Sequence, residues 1–168
     1  MQRNHLSTVD SRPKRAFQGA RQQRGLGLVE VLVAILIFST GIIALIAAQA
    51  SAIKGATDAK YRGDAAFLAS QILGRLWVNR ADLQANPANF AHRPGGAACV
   101  PSGNSAVDAD VVVWLGEVNA TLPQAGPNNQ QIVVGANQAV TITICWQAPG
   151  DATPHKHVVT AQLVGSPI

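Results

Sequence analysis

Few side chains of this sequence could do chemistry, and Glu30 is the most informative of them. It is the one charged residue in an apolar stretch, LGLVEVLVAILIF at 26–38, which follows the basic segment RQQRG at 21–25. A carboxylate near the interior of a lipid bilayer costs several kcal/mol unless a cation pairs with it, and such a residue is a functional-site candidate by default. We therefore expect a cation close to Glu30.

A cut after Gly25 would supply that cation. Leu26 would then become the N-terminus with a free amine, and Glu30, four residues later, would lie one helical turn away. In a bundle of such helices the amine of one chain can meet the carboxylate of its neighbour, and this pairing would set an axial register. The spacing therefore predicts that Glu30 is a register residue for assembly.

Two other interpretations of residues 1–53 remain open. A secretory signal peptide would explain the A-x-A pattern at Ala48-Gln49-Ala50, but its apolar core would exceed the usual length of about 7–15 residues and would open with an acid. A plain single-span anchor would explain the apolar run and its basic flank. It would not explain why a carboxylate, Glu30, lies at the start of the apolar run, so the processed chain is the favoured interpretation.

Composition places most of the apolar residues in one long segment. Charged residues make up 13% of the chain, about half the share usual in a soluble domain. No charge occurs from 31 to 53, which is enough for a bilayer span of about 20 residues. Residues 1–25 hold six Lys or Arg and one acid, and positive flanks stay inside. We therefore predict a cytoplasmic leader at 1–25 and a transmembrane helix half at 26–53.

No later segment concentrates Lys or Arg, which argues against a nucleic-acid surface.

The helical pattern continues beyond the apolar run. Residues 54–86 are amphipathic, with apolar positions at the three- and four-residue steps of one helix face. These positions are Ala66, Ala69, Leu73, Leu76, Trp77 and Leu83. Asn86-Pro87 supplies a stop, so we predict one helix from 26 to about 84.

Residues 87–168 change to a strand-and-turn pattern. Turn-rich segments separate runs of β-branched residues, and we expect strands at 111–118, 130–135, 139–147 and 156–164. In the third run, one alternating set is Val140, Ile142, Ile144 and Trp146, and the other is Thr141, Thr143 and Cys145. The last two strands would pair as a hairpin across 148–155, covered by the helix face at 66–83. The predicted fold is α+β: a long N-terminal α-helix, transmembrane in its first half, packed on a C-terminal antiparallel β-sheet head at 87–168.

Two cysteines lie in the β-rich part, Cys99 and Cys145, 46 positions apart. If this part is exported, an oxidising compartment favours a disulfide between them. In a reducing compartment they would be two buried thiols. Neither cysteine has a CxxC neighbour, so we predict no zinc site.

Other polar pairs carry weaker signals. His155 and His157 could ligate a metal from one strand, but no third ligand is close in sequence, so solvated residues are the favoured interpretation. Asp108 and Asp110 lack the glycine and distal glutamate of a calcium loop, which favours a polar start to a strand. No G-x-S-x-G nucleophile pattern occurs. We therefore predict no enzyme activity, no metal and no cofactor.

The three tryptophans are candidates for the core or for contacts. We expect Trp77, on the helix face, and Trp146, on the strand face, to be core residues rather than ligand platforms. For Trp114 both the core and a contact with a partner remain open.

The segment around Gly25 resembles the class III signal of type IV prepilins. That signal has a basic leader, a glycine before the cut, a hydrophobic first residue, glutamate as the fifth and then an apolar helix, and Gly25, Leu26 and Glu30 match it in order. The first mature residue is usually Phe in that family, whereas this chain has Leu26. The resemblance implies that a membrane prepilin peptidase cleaves between Gly25 and Leu26 and N-methylates the new terminus.

Within that family the second half of the helix favours one group of minor pilins. LVEVLVAILIF resembles both the PilV minor pilins and the small I-type minor pseudopilins of type II secretion, whereas FLASQILGRLWVNRADL at 67–83 resembles the PilV pattern. Gly74 stands where that pattern usually has Asp. The length of the chain after Gly25 also favours PilV.

Resemblance to PilV implies a structural role in a type IV pilus. The protein would wait in the bacterial inner membrane as a single-pass protein with a periplasmic head. It would then join a minor-pilin priming complex that ends at the fibre tip, so its partners would be other minor pilins and the major pilin, with a tip adhesin as a further candidate. Adhesion and twitching motility would be indirect outcomes. The alternative is a subunit of a secretion pseudopilus.

Overall fold

A computed structural model describes residues 24–163, with side chains from 27 onward. The helices are α1 (Arg24–Val78), α2 (Arg80–Ala85), α3 (Pro87–Phe90) and α4 (Ala109–Thr121). The strands are β1 (Gly95–Ala97), β2 (Val100–Ser102), β3 (Gln131–Val134), β4 (Ala139–Trp146) and β5 (His155–Gln162). A long apolar helix followed by small antiparallel sheets is an α+β, pilin-like architecture, and it confirms the predicted fold class. The predicted leader, 1–25, lies outside the described residues except for the backbone of its last two.

The chain divides into two compact units, one ending at Ala48 and the other beginning at Gln49. The described part of the first unit is entirely helical and belongs to α1. Its apolar side chains are exposed at consecutive positions, and Leu28 and Phe38 are each 69% exposed. Because an α-helix turns once in about 3.6 residues, these side chains cover all of its sides. By length and composition this helix could cross a membrane.

The second unit, residues 49–163, is called the head below. Its core joins one face of α1 to α4 and to the sheet of β3, β4 and β5. The buried α1 residues are Ala65, Leu68, Ala69, Ile72 and Leu76. The buried sheet residues on the same core are Ile132, Val140, Ile142, Ile144 and Trp146. Helix and sheet therefore cover each other's apolar faces, as the strand and helix patterns predict.

The buried face of α1 differs in part from the predicted one. Ala69 and Leu76 are buried as expected, but Trp77 is 43% exposed, and Leu68 and Ile72 take central positions instead. Apolar residues occur on more than one side of the helix between 66 and 78. Their spacing therefore permits several faces, and only the packing partner selects one.

Helix α1 ends at Val78, so the prediction of one helix to residue 84 is wrong at this point. Asn79 precedes α2 with φ −91° and ψ 20°, and its Nδ2 donates to the Asp110 carboxylate at 2.7 Å. The interruption is small, because the Asn79 N–H still donates to the Arg75 C=O at 3.1 Å and the Leu83 N–H donates to the Asn79 C=O at 3.0 Å. The stop at Asn86 is confirmed, because α2 ends at Ala85 and Pro87 begins α3.

The three longer strands form an antiparallel sheet in the order β3, β4, β5. The β4–β5 pairing runs without interruption from Ala139 opposite Gln162 to Trp146 opposite His155. The predicted hairpin across 148–155 is therefore confirmed. β1 and β2 form a separate short hairpin.

Residues 111–118 are helical, so the predicted first strand is wrong. Asp108 caps the start of α4, since its Oδ1 accepts hydrogen bonds from the backbone N–H groups of Asp110 and Val111, both at 3.1 Å. The buried residues of α4 are Val111, Trp114, Leu115 and Val118. Their helical spacing and the cap outweigh the strand preference of the valine run. Asp108 and Asp110 accordingly begin a helix and not a strand.

Gln130 extends the sheet with its side chain. Its Oε1 accepts from the Cys145 N–H at 2.8 Å, and its Nε2 donates to the Cys145 C=O at 3.0 Å. β3 begins only at Gln131, so Gln130 satisfies backbone groups of β4 for which β3 supplies no residue. Gln130 is fully buried, and these bonds explain why an amide is stable there.

Candidate functional site

The residues of the proposed cleavage site begin the first helix. Gly25 and Leu26 belong to the first turn of α1, and Glu30 follows Leu26 at the one-turn spacing of a helix. The Glu30 side chain is exposed, and the Leu26 side chain lies outside the described part. Helical backbone from 26 to 30 keeps the spacing on which an amine–carboxylate pair would depend.

The apolar surface around Glu30 needs a cover. Leu32, Leu36 and Ile43 are each more than 60% exposed, and the most apolar window of α1 is 0% buried. Exposed apolar area is unfavourable in water by roughly 25 cal/mol per Å², and an uninterrupted patch of this kind marks an interaction or membrane surface. Exposure of this segment is therefore consistent with anchoring in a membrane.

The comparison with known families agrees with this geometry. Residues 20–46 match the prokaryotic N-terminal methylation motif. The motif indicates a prepilin. Prepilins with this motif are type IV pilin-like or pseudopilin-like, and the motif implies processing by prepilin peptidase and association with pilins. No curated protein and no solved structure gives a significant match to the chain.

The head of the prepilin contains the predicted disulfide. Cys99 and Cys145 are bonded, with their Cα atoms 5.4 Å apart. Cys99 lies between β1 and β2 with a left-handed φ of 67°, and Cys145 is buried in β4. The bond therefore fixes the β1–β2 hairpin to the central strand of the sheet.

His155, the first histidine of the pair in β5, contacts Asp151 and Trp146. His155 Nε2 lies 2.8 Å from Asp151 Oδ2, and its ring stacks on Trp146 with the ring centres 5.7 Å apart. Among residues 27–163 no group of three or more His, Cys, Asp or Glu side chains is placed to hold a metal ion. His155 therefore serves the packing of the β4–β5 hairpin.

The prediction for Trp77 needs correction, and the open assignment of Trp114 is resolved. Trp146 is buried, as predicted. Trp114 is fully buried and its Nε1 donates to the Leu68 C=O at 2.8 Å, so it fastens α4 to α1 and is not available to a partner. Trp77, predicted as core, is on the surface with the Arg80 guanidinium 5.6 Å from its ring centre.

A polar cluster holds the β4–β5 turn against α1. The Asp151 carboxylate accepts from Lys54 Nζ at 3.2 Å and from His155 Nε2 at 2.8 Å. The hydrogen bonds from His155 and then from Lys54 lower the pKa of Asp151 below its ordinary value. The cluster borders an open groove of about 770 Å³ between residues 50–61 of α1 and the turn. No local pattern predicts this contact, because Lys54 and Asp151 are almost 100 positions apart in the sequence.

His92 is a buried connection that sequence patterns do not reveal. Its Nδ1 accepts from the Ala106 N–H at 3.2 Å, and its Nε2 lies 2.8 Å from the Pro127 C=O. The hydrogen of the neutral ring is therefore on Nε2. Its backbone also exchanges two hydrogen bonds with Ile132, at 3.0 and 2.9 Å. One residue thus joins three segments of the head.

We expect the stability of the head to fall as the pH drops below about 6.5. Burial lowers the pKa of His92 below its ordinary value, so at mildly acid pH the unfolded chain binds a proton that the folded chain does not. The loss begins near the unfolded pKa of about 6.5, continues until the folded pKa is reached, and has a slope of at most about 1.4 kcal/mol per pH unit for one proton. Above pH 6.5 both states are neutral and His92 contributes no pH dependence.

Urea denaturation between pH 5 and pH 7.5 measures this slope. His92→Gln keeps an acceptor and a donor but does not titrate. The slope of its free energy of unfolding against pH should therefore be smaller by the contribution of the one proton that His92 binds in the unfolded chain. The matched control is His157→Gln, which makes the same substitution at a partly exposed position of β5. An unchanged slope in His92→Gln would contradict the assignment.

Proposed function

We propose that this prepilin is a minor pilin of the type IV pilus, of the PilV kind, with a structural rather than catalytic role. The observation that carries the proposal is the methylation motif at 20–46, on an apolar helix with Glu30 as the fifth residue after Gly25. A small α+β head with one disulfide supports it, since such a head can form lateral contacts while the helix anchors it. The resemblance at 67–83 favours PilV over the I-type minor pseudopilins.

Cleavage after Gly25 is the step that makes assembly possible. Before it, Glu30 has no N-terminal amine one turn away. After it, the N-methylated amine of Leu26 is a cation that can pair with Glu30 of the same chain or of a neighbour. The neighbour pairing would fix the axial step between subunits.

The apolar half of α1 would serve two environments in turn. In the inner membrane lipid covers the side chains from Leu28 to Ile46, and in the filament other helices cover them. Transfer from lipid to helices changes the apolar exposure little, so packing and polar pairing decide the association. Gly41 has open space around its Cβ position, so a neighbouring helix can approach closely there.

The partners follow from this place in assembly. Prepilin peptidase acts first. The periplasmic head then contacts other minor pilins in a priming complex at the fibre tip, next to the major pilin and with a tip adhesin as a further candidate. Effects on adhesion and twitching motility would arise through the assembled pilus.

The alternative function is an I-type minor pseudopilin of a type II secretion system. The methylation motif is common to both groups, so it favours neither. Deletion of the gene separates them. Loss of surface pili with normal protein secretion supports the pilus, whereas loss of secretion with normal pili supports the pseudopilus.

Processing and assembly can be tested with two substitutions. The membrane-purified protein should begin at N-methylated Leu26, and Gly25→Val should retain the leader because the bulky residue blocks cleavage. Glu30→Ala should be cleaved normally but be depleted in sheared pili by about tenfold or more, since it loses a charge pair in an apolar setting. Asp82→Ala, which removes an exposed acid of α2, is the matched control and should enter pili normally.

Two outcomes would contradict this account. One is a natural N-terminus at Met1 or Ser51, which would indicate an uncleaved anchor or a secretory signal peptide. The other is a wild-type amount of Glu30→Ala in the fibres, which would remove the register role.

A further inference from the structure

The groove between α1 and the β4–β5 turn has no part in the proposed assembly. Its volume of about 770 Å³ lies within the range of small-ligand sites, about 300–1,000 Å³. Every residue that lines it belongs to the head. Ile53 and Pro149 contribute apolar surface to the lining, and Lys54, Asp58 and Asp151 contribute charges. A groove with both apolar and charged walls fits an amphiphilic ligand.

The groove begins where the uncharged stretch of α1 ends. No charge occurs from 31 to 53, and Lys54 is the first charged residue after this stretch. A helix from 26 to 53 is about 42 Å long at 1.5 Å per residue, and a bilayer with its headgroups is about 40–45 Å thick. A span at 26–53 therefore puts Ile53 and Lys54 among the lipid headgroups. The ion pair of Lys54 with Asp151, at 3.2 Å, brings the β4–β5 turn to the same level.

Lys54 can donate to an anion in the groove. Its ammonium has three N–H groups, and within residues 27–163 its ion-pair partner is Asp151. The Lys54 side chain is 72% exposed, so further N–H groups remain for a ligand. Phosphate is the anion that phospholipid headgroups share, and lysine binds phosphate as a point charge.

Asp58 can accept a hydrogen bond from a cation in the same groove. Its Oδ2 accepts from Arg62 Nε at 3.0 Å, whereas its Oδ1 is enclosed and has no hydrogen-bond partner within residues 27–163. An enclosed, unpaired oxygen of a charged group is unfavourable. The Asp58 side chain as a whole is 38% exposed, and the χ2 torsion of aspartate is soft. A small rotation therefore turns Oδ1 toward a donor in the groove.

The order of these residues along α1 matches the order of groups in a phospholipid. Ile53, Lys54 and Asp58 follow one another away from the membrane, and the last two are about 6 Å apart along the helix axis. The glycerol, phosphate and amine of an ethanolamine lipid follow one another in the same direction. An anionic headgroup would meet two carboxylates, those of Asp58 and Asp151, against one lysine, and a choline group has no N–H to donate. The groove therefore favours a headgroup with a primary amine.

We propose that this groove binds the headgroup of a zwitterionic phospholipid with a primary amine, of the phosphatidylethanolamine class. The phosphate accepts from Lys54, the ammonium donates to Asp58, and the glycerol lies beside Ile53 with the acyl chains in the bilayer. The ion pair of Lys54 with Asp151 keeps the β4–β5 turn beside the lipid. The proposal requires a membrane anchor but no role in a pilus, so it holds for a pilin and a pseudopilin alike.

Native mass spectrometry of the full-length protein measures this selectivity. The protein is released from nanodiscs that hold equal amounts of ethanolamine, choline and glycerol phospholipids with the same acyl chains, and the retained lipids are identified by mass. The ethanolamine lipid should be retained about tenfold more than either of the others, the factor that one hydrogen bond to a charged group provides. Equal retention of the three lipids, or a preference for the anionic glycerol lipid, overturns the proposal.

Two substitutions assign the two headgroup contacts. Asp58→Asn should lower retention of the ethanolamine lipid to that of the choline lipid, because the ammonium loses its charged acceptor. Lys54→Gln should lower retention of both lipids by about tenfold, because the phosphate is common to them. Lys60 and Asp64 form an ion pair on the same helix, at 2.6 Å, and do not line the groove. Lys60→Gln and Asp64→Asn are therefore the matched controls and should retain the wild-type pattern.

Further variants keep the test independent of folding. An intact Cys99–Cys145 disulfide and an unchanged circular dichroism spectrum verify the fold of each variant. Lys54→Arg keeps a cation and should keep the lipid, which separates the charge from damage to the β4–β5 turn. The proposal is wrong if Asp58→Asn keeps the preference or if a control lowers it as much as the groove variants do. It is also wrong if Thr57→p-benzoylphenylalanine, which lines the groove, cross-links in membranes to a polypeptide and not to lipid.

Discussion

Trp114→Ala is expected to destabilise the head by about 3–5 kcal/mol, the cost typical of removing a large buried aromatic side chain. Trp114 is fully buried between α4 and α1. Its loss leaves a cavity, and it removes the hydrogen bond from Nε1 to the Leu68 C=O. The Arg75–Glu117 ion pair, at 2.8 Å, also joins α1 and α4, but it is partly exposed and contributes little by comparison.

Pulse proteolysis of the full chain in detergent across a urea series measures this loss without using tryptophan fluorescence. Trp77→Ala is the matched control, because it removes the same type of side chain from an exposed position of α1, the helix on which Trp114 packs. We expect its free energy of unfolding to change by less than about 1 kcal/mol. Trp114→Phe fills most of the volume but lacks the N–H, and it should lie between the two. Equal shifts for Trp114→Ala and Trp77→Ala would contradict the packing described above.

Removal of the disulfide is the second large effect. The bond closes a loop between cysteines 46 positions apart, and the chain entropy of such a loop in the unfolded state corresponds to about 4 kcal/mol. Cys99→Ala with Cys145→Ala should therefore lower the free energy of unfolding of the head by about that amount. The β1–β2 hairpin should also become accessible to protease, because its bond to β4 is gone.

Reduction of the wild-type protein provides the control for this variant. Dithiothreitol should shift the wild-type midpoint to that of the double variant and leave the double variant unchanged. Cys99→Ala alone leaves a buried thiol at Cys145 and should be as destabilised as the double variant. A double variant as stable as the oxidised protein would show that the bond does not constrain the head.

The elements with a regular pattern and a local cause were predictable. The apolar run that begins near Gly27 and its single acid, Glu30, follow from composition alone. The β4–β5 hairpin follows from alternation and a turn-rich connection, and the disulfide follows from the count of two cysteines together with the prediction that their domain is exported. Each of these requires only neighbouring residues or a choice between two partners.

The helix α4 was not predicted because two local signals conflict. Val111, Val112 and Val113 favour a strand, whereas Asp108 offers a helix cap. The cap and the helical spacing of the four buried residues were present in the sequence. Their weight became clear only from the packing on α1, where a helix presents Val111 and Trp114 to the core and leaves the other two valines exposed.

The polar connections of the head could not be predicted from the sequence. His92 and Gln130 belong to no motif, and their partners are the backbone groups of residues far along the chain. A buried amide or imidazole is stable only where the folded chain supplies a donor and an acceptor. The same is true of Lys54 and Asp151. These contacts are consequences of the fold and not of local sequence.

The hydrogen bond from Trp114 to Leu68 has a consequence for dissecting the protein. A fragment that starts after Leu76 would lack the acceptor of that bond and the α1 residues that cover the sheet. We expect it to be insoluble or molten, whereas a fragment from Gln49 keeps both. The second half of α1 is therefore part of the hydrophobic core of the head and not only a stalk that holds it. Removal of this half of the helix would unfold the head.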